Sequence, residues 1–187
     1  MSVTQFEIYS LKSEIKMKKS LWIVPIIIAG FAVWCFYPDK NMPDGVVIDR
    51  LVVYKSKRKM HVYSGNKWLK TYAIALGKNP AGHKQCEGDN RTPEGIYTIN
   101  SRNPNSGYHK NLGISYPNAA DIANAAKLGK PAGGDIKIHG LRNGSAAYIG
   151  KSHHLKDWTA GCIAVTNTEI DELYKTVKHN AVIEIFP

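Results

Sequence analysis

Val46-Val47-Ile48-Asp49-Arg50-Leu51-Val52-Val53-Tyr54, then Lys59-Met60-His61-Val62-Tyr63, then Trp68-Leu69-Lys70-Thr71-Tyr72-Ala73-Ile74-Ala75-Leu76 are three runs rich in β-branched and aromatic residues. Such side chains pack well on a pleated surface, and the runs are too short for helices. Lys55-Ser56-Lys57-Arg58-Lys59 reads as one hairpin turn and Ser64-Gly65-Asn66 as the next. A β-meander is expected, and with it a mostly β domain.

Downstream of the meander, Gly77 to Gly95 is a long loop rich in Gly, Pro, Asn and Asp, followed by a strand at Ile96–Asn100. Loops of that length inside compact domains usually carry function or are disordered. Residues 101–118 read as another loop. Asn118 can cap a helix over Ala119–Leu128, which Gly129 and Pro131 stop. Ile136–His139 and Cys162–Val165 are expected as short strands. Thr166, Asn167 or Thr168 caps a second helix, Glu169–Lys178, with Ile170, Leu173, Tyr174 and Val177 at helical spacing. Ala181–Phe186 closes the chain as a strand.

Upstream, residues 1–20 are polar and end in Lys16-Met17-Lys18-Lys19, and Met17 is a plausible true start. Residues 21–37 contain no charge over 17 positions, the short limit for a membrane span. Lysines before this run and Pro38-Asp39 after it put the N-terminus inside and the domain outside. An uncleaved anchor and a signal peptide both fit, the anchor better, since no small-x-small cleavage site follows. Residues 38–44 read as a linker and 45–187 as the exported domain.

The net charge is +10 over 187 residues. From Asp39 onward there are 21 Lys and Arg against 13 Asp and Glu, so the domain itself carries +8. That field favours an anionic partner. No nucleic-acid motif accompanies the scattered basic residues, which read as a solvated surface, so nucleic acid is not expected as a partner. Cys35, Cys86 and Cys162 do not make a disulfide framework.

One stretch carries chemistry. His139 ends a short apolar strand, and Cys162 follows Gly161 23 residues later. A cysteine nucleophile needs a base for its proton and amide donors for the oxyanion. Gly161 allows positive-φ geometry just before the sulfur, so that consecutive N–H groups can converge. His139 can be the base, with the Gly140 carbonyl fixing its tautomer. A cysteine followed by Ile163, Ala164 and Val165 is equally read as a buried small hydrophobe. A thiol that must ionise is expected to alkylate faster at Cys162 than at Cys86.

Other residues leave alternatives open. His153 and His154 are a second base, a substrate contact, or exposed loop histidines. His83, Cys86, Glu87 and Asp89 lack a convincing ligand set for one metal. Asp89, Arg91 and Thr92 read as locks on the long loop. Trp158, Tyr108, Tyr116 and His109 could wall a peptide groove or pack the core. Arg142 and Asn143, just after His139-Gly140, are candidates to meet a substrate carboxylate.

Ala75-Leu76-Gly77, Glu87-Gly88-Asp89-Asn90-Arg91-Thr92-Pro93-Glu94-Gly95, Ile138-His139-Gly140 and Thr159-Ala160-Gly161-Cys162 together resemble the L,D-transpeptidase catalytic domain (YkuD-type) over about residues 45–187. The resemblance implies a β-sandwich-like fold with two peripheral helices. It also implies a thiol acyltransferase acting on peptidoglycan stem peptides in the cell envelope, on the exported side of the inner membrane. Cys162 would be the nucleophile and His139 its base, with Gly140 and Gly161 shaping the pair. The amides of Ala160, Gly161 and Cys162 would form the oxyanion hole. Arg142, Asn143, Trp158, Thr159 and Tyr108 are the expected substrate contacts. The thioester would pass to an amine or to water, and no metal or organic cofactor is implied. The common Ser-His-Gly-Cys signature is here Thr159-Ala160-Gly161-Cys162, and Ala164 stands where a polar residue is frequent, with Asn167 further on. Nothing in the sequence sets the oligomeric state.

Overall fold

A computed structural model describes residues 23–37 and 41–187. These fall into two units, one ending at Asp39 and one running from Lys40 to the C-terminus. In the first, residues 23–36 form a helix, α1. At 1.5 Å per residue its described part spans roughly 20 Å. Among the described residues no helix is long and apolar enough to cross a membrane. Residues 1–22 and 38–40, with part of the expected anchor and linker, lie outside the described residues.

The second unit is built on one eight-stranded sheet. The meander forms as expected: β1 (Ile48–Tyr54), β2 (Lys59–Ser64) and β3 (Lys67–Ala73) pair antiparallel in sequence. Next come β4 (Gly95–Ser106), β5 (His109–Ile114), β6 (Lys137–His139), β7 (Ile163–Ala164) and β8 (Val177–Phe186). The strand order is β3-β2-β1-β8-β4-β5-β6-β7. β8 pairs parallel to β1 and antiparallel to β4.

The expected mostly β, sandwich-like fold takes the form of a single curled sheet. β4 is its corner: residues 95–98 pair with β8 and residues 99–106 with β5, with a register shift between Ile99 and Ser101. A strand that changes partners at an irregularity bends there. The curl brings the last strand round to the segment after β3, where Ala75 and Ala164 exchange backbone hydrogen bonds of 3.0 and 2.8 Å. Inside lies one apolar core, including Leu51, Val53, Met60, Ile74, Ile99, Leu112, Ile138, Ile163, Ile170 and Ile183.

Both expected helices are present. α2 (Ala119–Lys127) is capped by Asn118, whose side chain accepts from Ala120 and Asp121 N–H. After it come a short α3 (Ala146–Ile149) and a 3-10 turn over Gly150–Leu155. α4 (Asn167–Thr176) follows a Thr166 capping box. The hairpin of β4 and β5 was not expected, because Asn103-Pro104-Asn105-Ser106-Gly107 reads as loop.

The first hairpin turn is not the solvated basic patch its sequence suggests. Lys55 is 2% exposed. Its ammonium donates to the Gly82 carbonyl at 2.6 Å, the Thr92 carbonyl at 2.9 Å and the Glu94 carboxylate at 2.8 Å. Arg58 donates to Asp157 at 2.7 and 3.1 Å. Asp89, as expected, locks the long loop, accepting from the amides of Gln85, Cys86 and Arg91 and from the Lys84 ammonium. Burial pushes its carboxyl up, but the Lys84 bond and these amides outweigh that and hold it below the usual range.

Lys55→Met leaves two carbonyls and Glu94 without their donor. It is expected to lower the unfolding free energy by about 3 kcal/mol in urea denaturation. A change within about 0.5 kcal/mol, as at a surface lysine, would contradict the clamp.

Candidate active site

Three short strands set the site. β6 pairs antiparallel with β5, placing His139 opposite Asn111, and parallel with β7, placing His139 opposite Ala164. Direct cross-strand partners project to the same face. The Cys162 thiol, one residue before β7, and the His139 ring line one cavity of about 370 Å³.

His139 is 5% exposed, and its Nδ1 lies 2.7 Å from the Gly140 carbonyl oxygen. A carbonyl only accepts, so Nδ1 carries the proton and the neutral ring leaves Nε2 unprotonated, as a base must be. Tyr108 and Trp158 flank the ring at centroid distances of 4.7 and 5.6 Å. Gly140 itself tolerates no side chain, since a Cβ would stand 2.7 Å from Asn167 Oδ1, which accepts from the Leu141 amide at 2.8 Å.

The loop that carries Cys162 is held by Thr159. Its Oγ1 donates to the Cys162 carbonyl at 2.7 Å and accepts from the Gly161 amide at 3.1 Å. Gly161 sits at φ +136°, and a Cβ there would stand 2.7 Å from the Arg91 carbonyl oxygen. Trp158 and Thr159 amides both reach the Leu76 carbonyl, and the Lys78 amide reaches Thr159. Thr159 positions the loop through that hydroxyl and also lines the cavity. One expectation changes as a result. The Gly161 amide, expected among the oxyanion donors, already donates to Thr159 Oγ1.

The thiol is half-buried, and its Sγ lies 3.7 Å from the Asp135 carbonyl. Burial pushes the Cys162 thiol up, against the Lys137 amide and ammonium that favour the thiolate. Burial also holds the His139 imidazole below its ordinary value, against the Gly140 bond that favours the charged ring. Both directions favour the uncharged forms, thiol and imidazole. A raised thiol does not favour the faster alkylation expected at Cys162. All three cysteines carry free thiols.

The other expected site residues divide. Tyr108 and Trp158 line the cavity. Arg142 is exposed and lines an adjoining cavity instead. Asn143 holds the β4–β5 turn, its Oδ1 accepting from the His109 amide at 2.8 Å and its Nδ2 donating to the Ser106 carbonyl at 3.0 Å. His109 pairs with Asp171 at 3.0 Å. Tyr116 is a core residue whose hydroxyl donates to the Ala132 carbonyl. His83 is built into the fold, its Nδ1 accepting from the Glu94 amide and its Nε2 3.0 Å from Asp121. His153 is buried and not an exposed loop histidine.

Residues the sequence did not single out also line the cavity: Lys78, Ser106, Asn111, Asp135 and Lys137. Asn111 is 3% exposed. The only signal for it is alternation along β5, a strand hidden in a loop-like composition.

Residues 48–185 match the family model described as the L,D-transpeptidase catalytic domain. YafK of Escherichia coli K12, whose name assigns it provisionally as an L,D-transpeptidase, is 30% identical over 131 residues, 67% of this chain and 45% of that protein. The cell-shape-determining protein Pgp2 of Campylobacter jejuni matches with TM-score 0.55 and 26% identity, over 79% of this chain and 51% of Pgp2. Bd1075 of Bdellovibrio bacteriovorus matches with TM-score 0.53 and 23% identity over 79% of this chain, a likeness of fold. The chain spans about half the length of these relatives.

With the Cys162 thiol raised, its thiolate fraction at any given pH is below that of an exposed cysteine. Iodoacetamide labelling of Cys162, followed by mass spectrometry against pH, is expected to be slow at neutrality and to inflect above the ordinary thiol value. An inflection near or below neutrality would reveal a preformed thiolate.

Proposed function

This chain belongs to the L,D-transpeptidase catalytic domain family, and from that premise we propose that it is a cysteine acyltransferase acting on peptidoglycan stem peptides. The observation that carries the reading is the shared cavity of Cys162 and His139, with Nδ1 held by Gly140 and Nε2 left as the base. Cys162 Sγ attacks the carbonyl carbon of the peptide bond before the terminal D-alanine, and Nε2 takes the thiol proton. The amides of Ala160 and Cys162 receive the oxyanion. Collapse breaks the C–N bond and forms the thioester, and the imidazolium returns its proton to the leaving amine. An amine then attacks the thioester, His139 takes its proton, and the thiol is regenerated.

Water in place of the amine turns the same chemistry into a hydrolase, an L,D-carboxypeptidase. One observation favours that branch: Ala160, where the common signature has a histidine, is exposed at the cavity rim and leaves it open to solvent. Residues 45–187 constitute the proposed catalytic domain, placed in the envelope on the exported side, with residues 21–37 as the proposed anchor or export signal. Part of the positive charge supports the choice of a carboxylate-rich polymer, because Lys78 and Lys137 stand at the cavity itself.

The test is the full chain with a purified disaccharide-tetrapeptide, read by mass spectrometry of protein and products, beside Cys162→Ala and His139→Ala. The expected result is an acyl adduct and loss of D-alanine with wild type, neither with Cys162→Ala, and at least a hundredfold slower acylation with His139→Ala, roughly the share of a general base. Crosslinked dimers mark amine transfer and trimmed stems mark hydrolysis. Absence of adduct and product, with intact binding to sacculi, would overturn the enzyme in favour of a wall-binding module.

A further inference from the structure

One end of the thiol cavity takes no part in the acyl-transfer steps. The β4–β5 hairpin contributes it as Ser106, Tyr108 and Asn111. Asn111 is 3% exposed, and among the described residues its carboxamide has no hydrogen-bond partner. The unpartnered side-chain atoms sealed from solvent belong to His153 and Trp158. The Asn111 oxygen and nitrogen are not among them and open onto the cavity. Burying an amide without a partner is costly, and the fold gains nothing from it.

Register fixes what lies beside that amide. The Gly140 amide donates to the Lys110 carbonyl, so Asn111 and His139 form a non-hydrogen-bonded antiparallel pair. In such a pair the facing side chains come closest, with Cβ atoms roughly 5 Å apart. β6 lies between β5 and β7, so His139 stands between Asn111 and the strand that follows Cys162. A base that takes the thiol proton and returns it to nitrogen works between the sulfur and that nitrogen. The Asn111 end is therefore the amine side of the reacting bond. Its side chains are all uncharged; Lys78, Asp135 and Lys137 come from the loop after β3 and from around the start of β6. A carboxamide offers donors and an acceptor together, which matches a peptide amide, whereas its oxygen would repel a carboxylate.

We propose that Asn111 recognises the entering amine through an amide on the carbon next to the attacking nitrogen. Asn111 Nδ2 donates to the carbonyl oxygen of that amide, and Oδ1 accepts from its N–H. The acceptor class is then an amine set within a peptide, not a free amino acid or a simple alkylamine. The place of the amine rests on the acyl-transfer reading; the recognition of an amide by Asn111 does not.

The experiment has two arms, both on the full chain. The first follows the side-chain amide resonances of Asn111 in nitrogen-15-labelled protein carrying Cys162→Ala, assigned by their loss in Asn111→Leu. Glycinamide is expected to shift them saturably, and glycine and ethylamine to leave them in place. In the second arm, wild type and Asn111→Leu are acylated by the disaccharide-tetrapeptide and given an equimolar mixture of glycinamide and ethylamine. The ratio of the two transfer products, read by mass spectrometry, cancels amine basicity and acylation rate between the proteins. It is expected to fall about tenfold in Asn111→Leu. The melting temperature should not fall, because the amide has no partner to lose; Asn111→Ala is the second variant, with the same expected ratio. No shift with glycinamide, or an equal shift with glycine or ethylamine, would overturn the recognition. An unchanged ratio, or a wild type that passes the thioester only to water, would overturn the entering-amine role. A glycinamide shift without any acyl adduct on wild type would overturn the acyl-transfer reading and leave the recognition standing.

Discussion

A strand of three residues, Lys137–His139, is the constraint on which the site depends. It lies between β5 and β7, and its register fixes which side chains share a face with the imidazole. A one-residue slip would turn His139 away from the cavity and into the core. The slip is prevented by the buried Ile138 on the opposite face and by the Gly140 amide, which reaches the carbonyls of Tyr108 and Lys110. The same Gly140 offers its own carbonyl to His139 Nδ1, so one residue sets both the strand end and the tautomer.

Around that strand the fold places buried charge where a plainer protein would place apolar side chains. Lys55, Lys84, Asp89 and Glu94 knit residues 82–94 into a shell. The Asn90 and Arg91 carbonyls of that shell then press on Gly77 and Gly161, both too close to accept a Cβ. Buried ion pairs add little to stability against well-packed hydrocarbon, but each fixes direction as well as distance. Here that rigidity reaches Cys162, because the Arg91 carbonyl backs Gly161 and Thr159 ties Gly161 to Cys162. Precision at the sulfur is inherited from a loop some 70 residues upstream in sequence.

Much of this was legible from residue patterns. The meander followed from β-branched runs, α2 from Asn118 as cap, α4 from a cap among Thr166, Asn167 and Thr168, and the Gly140 contact from its place beside His139. What stayed hidden depends on contacts far apart in the chain. Lys55 reads as one solvated lysine among five turn residues until the loop that buries it is in place. The β4–β5 hairpin hides in Asn, Pro and Ser, and with it the position of Asn111 opposite His139. The sandwich-like fold is a curled sheet because β4 bends, which no local pattern shows. His153 looked like a loop histidine, since burial on a 3-10 turn is set by what packs over it.

The central claim is that the resting pair is neutral and that His139 Nε2 is the base. Nitrogen-15 spectra of the histidine-labelled full chain near neutral pH, with His139 assigned by His139→Gln, test it most directly. The account predicts a neutral ring with Nδ1 protonated and Nε2 bare, unchanged in Cys162→Ala. Two protonated nitrogens that revert to the neutral ring in Cys162→Ala would instead establish a thiolate–imidazolium pair and contradict it.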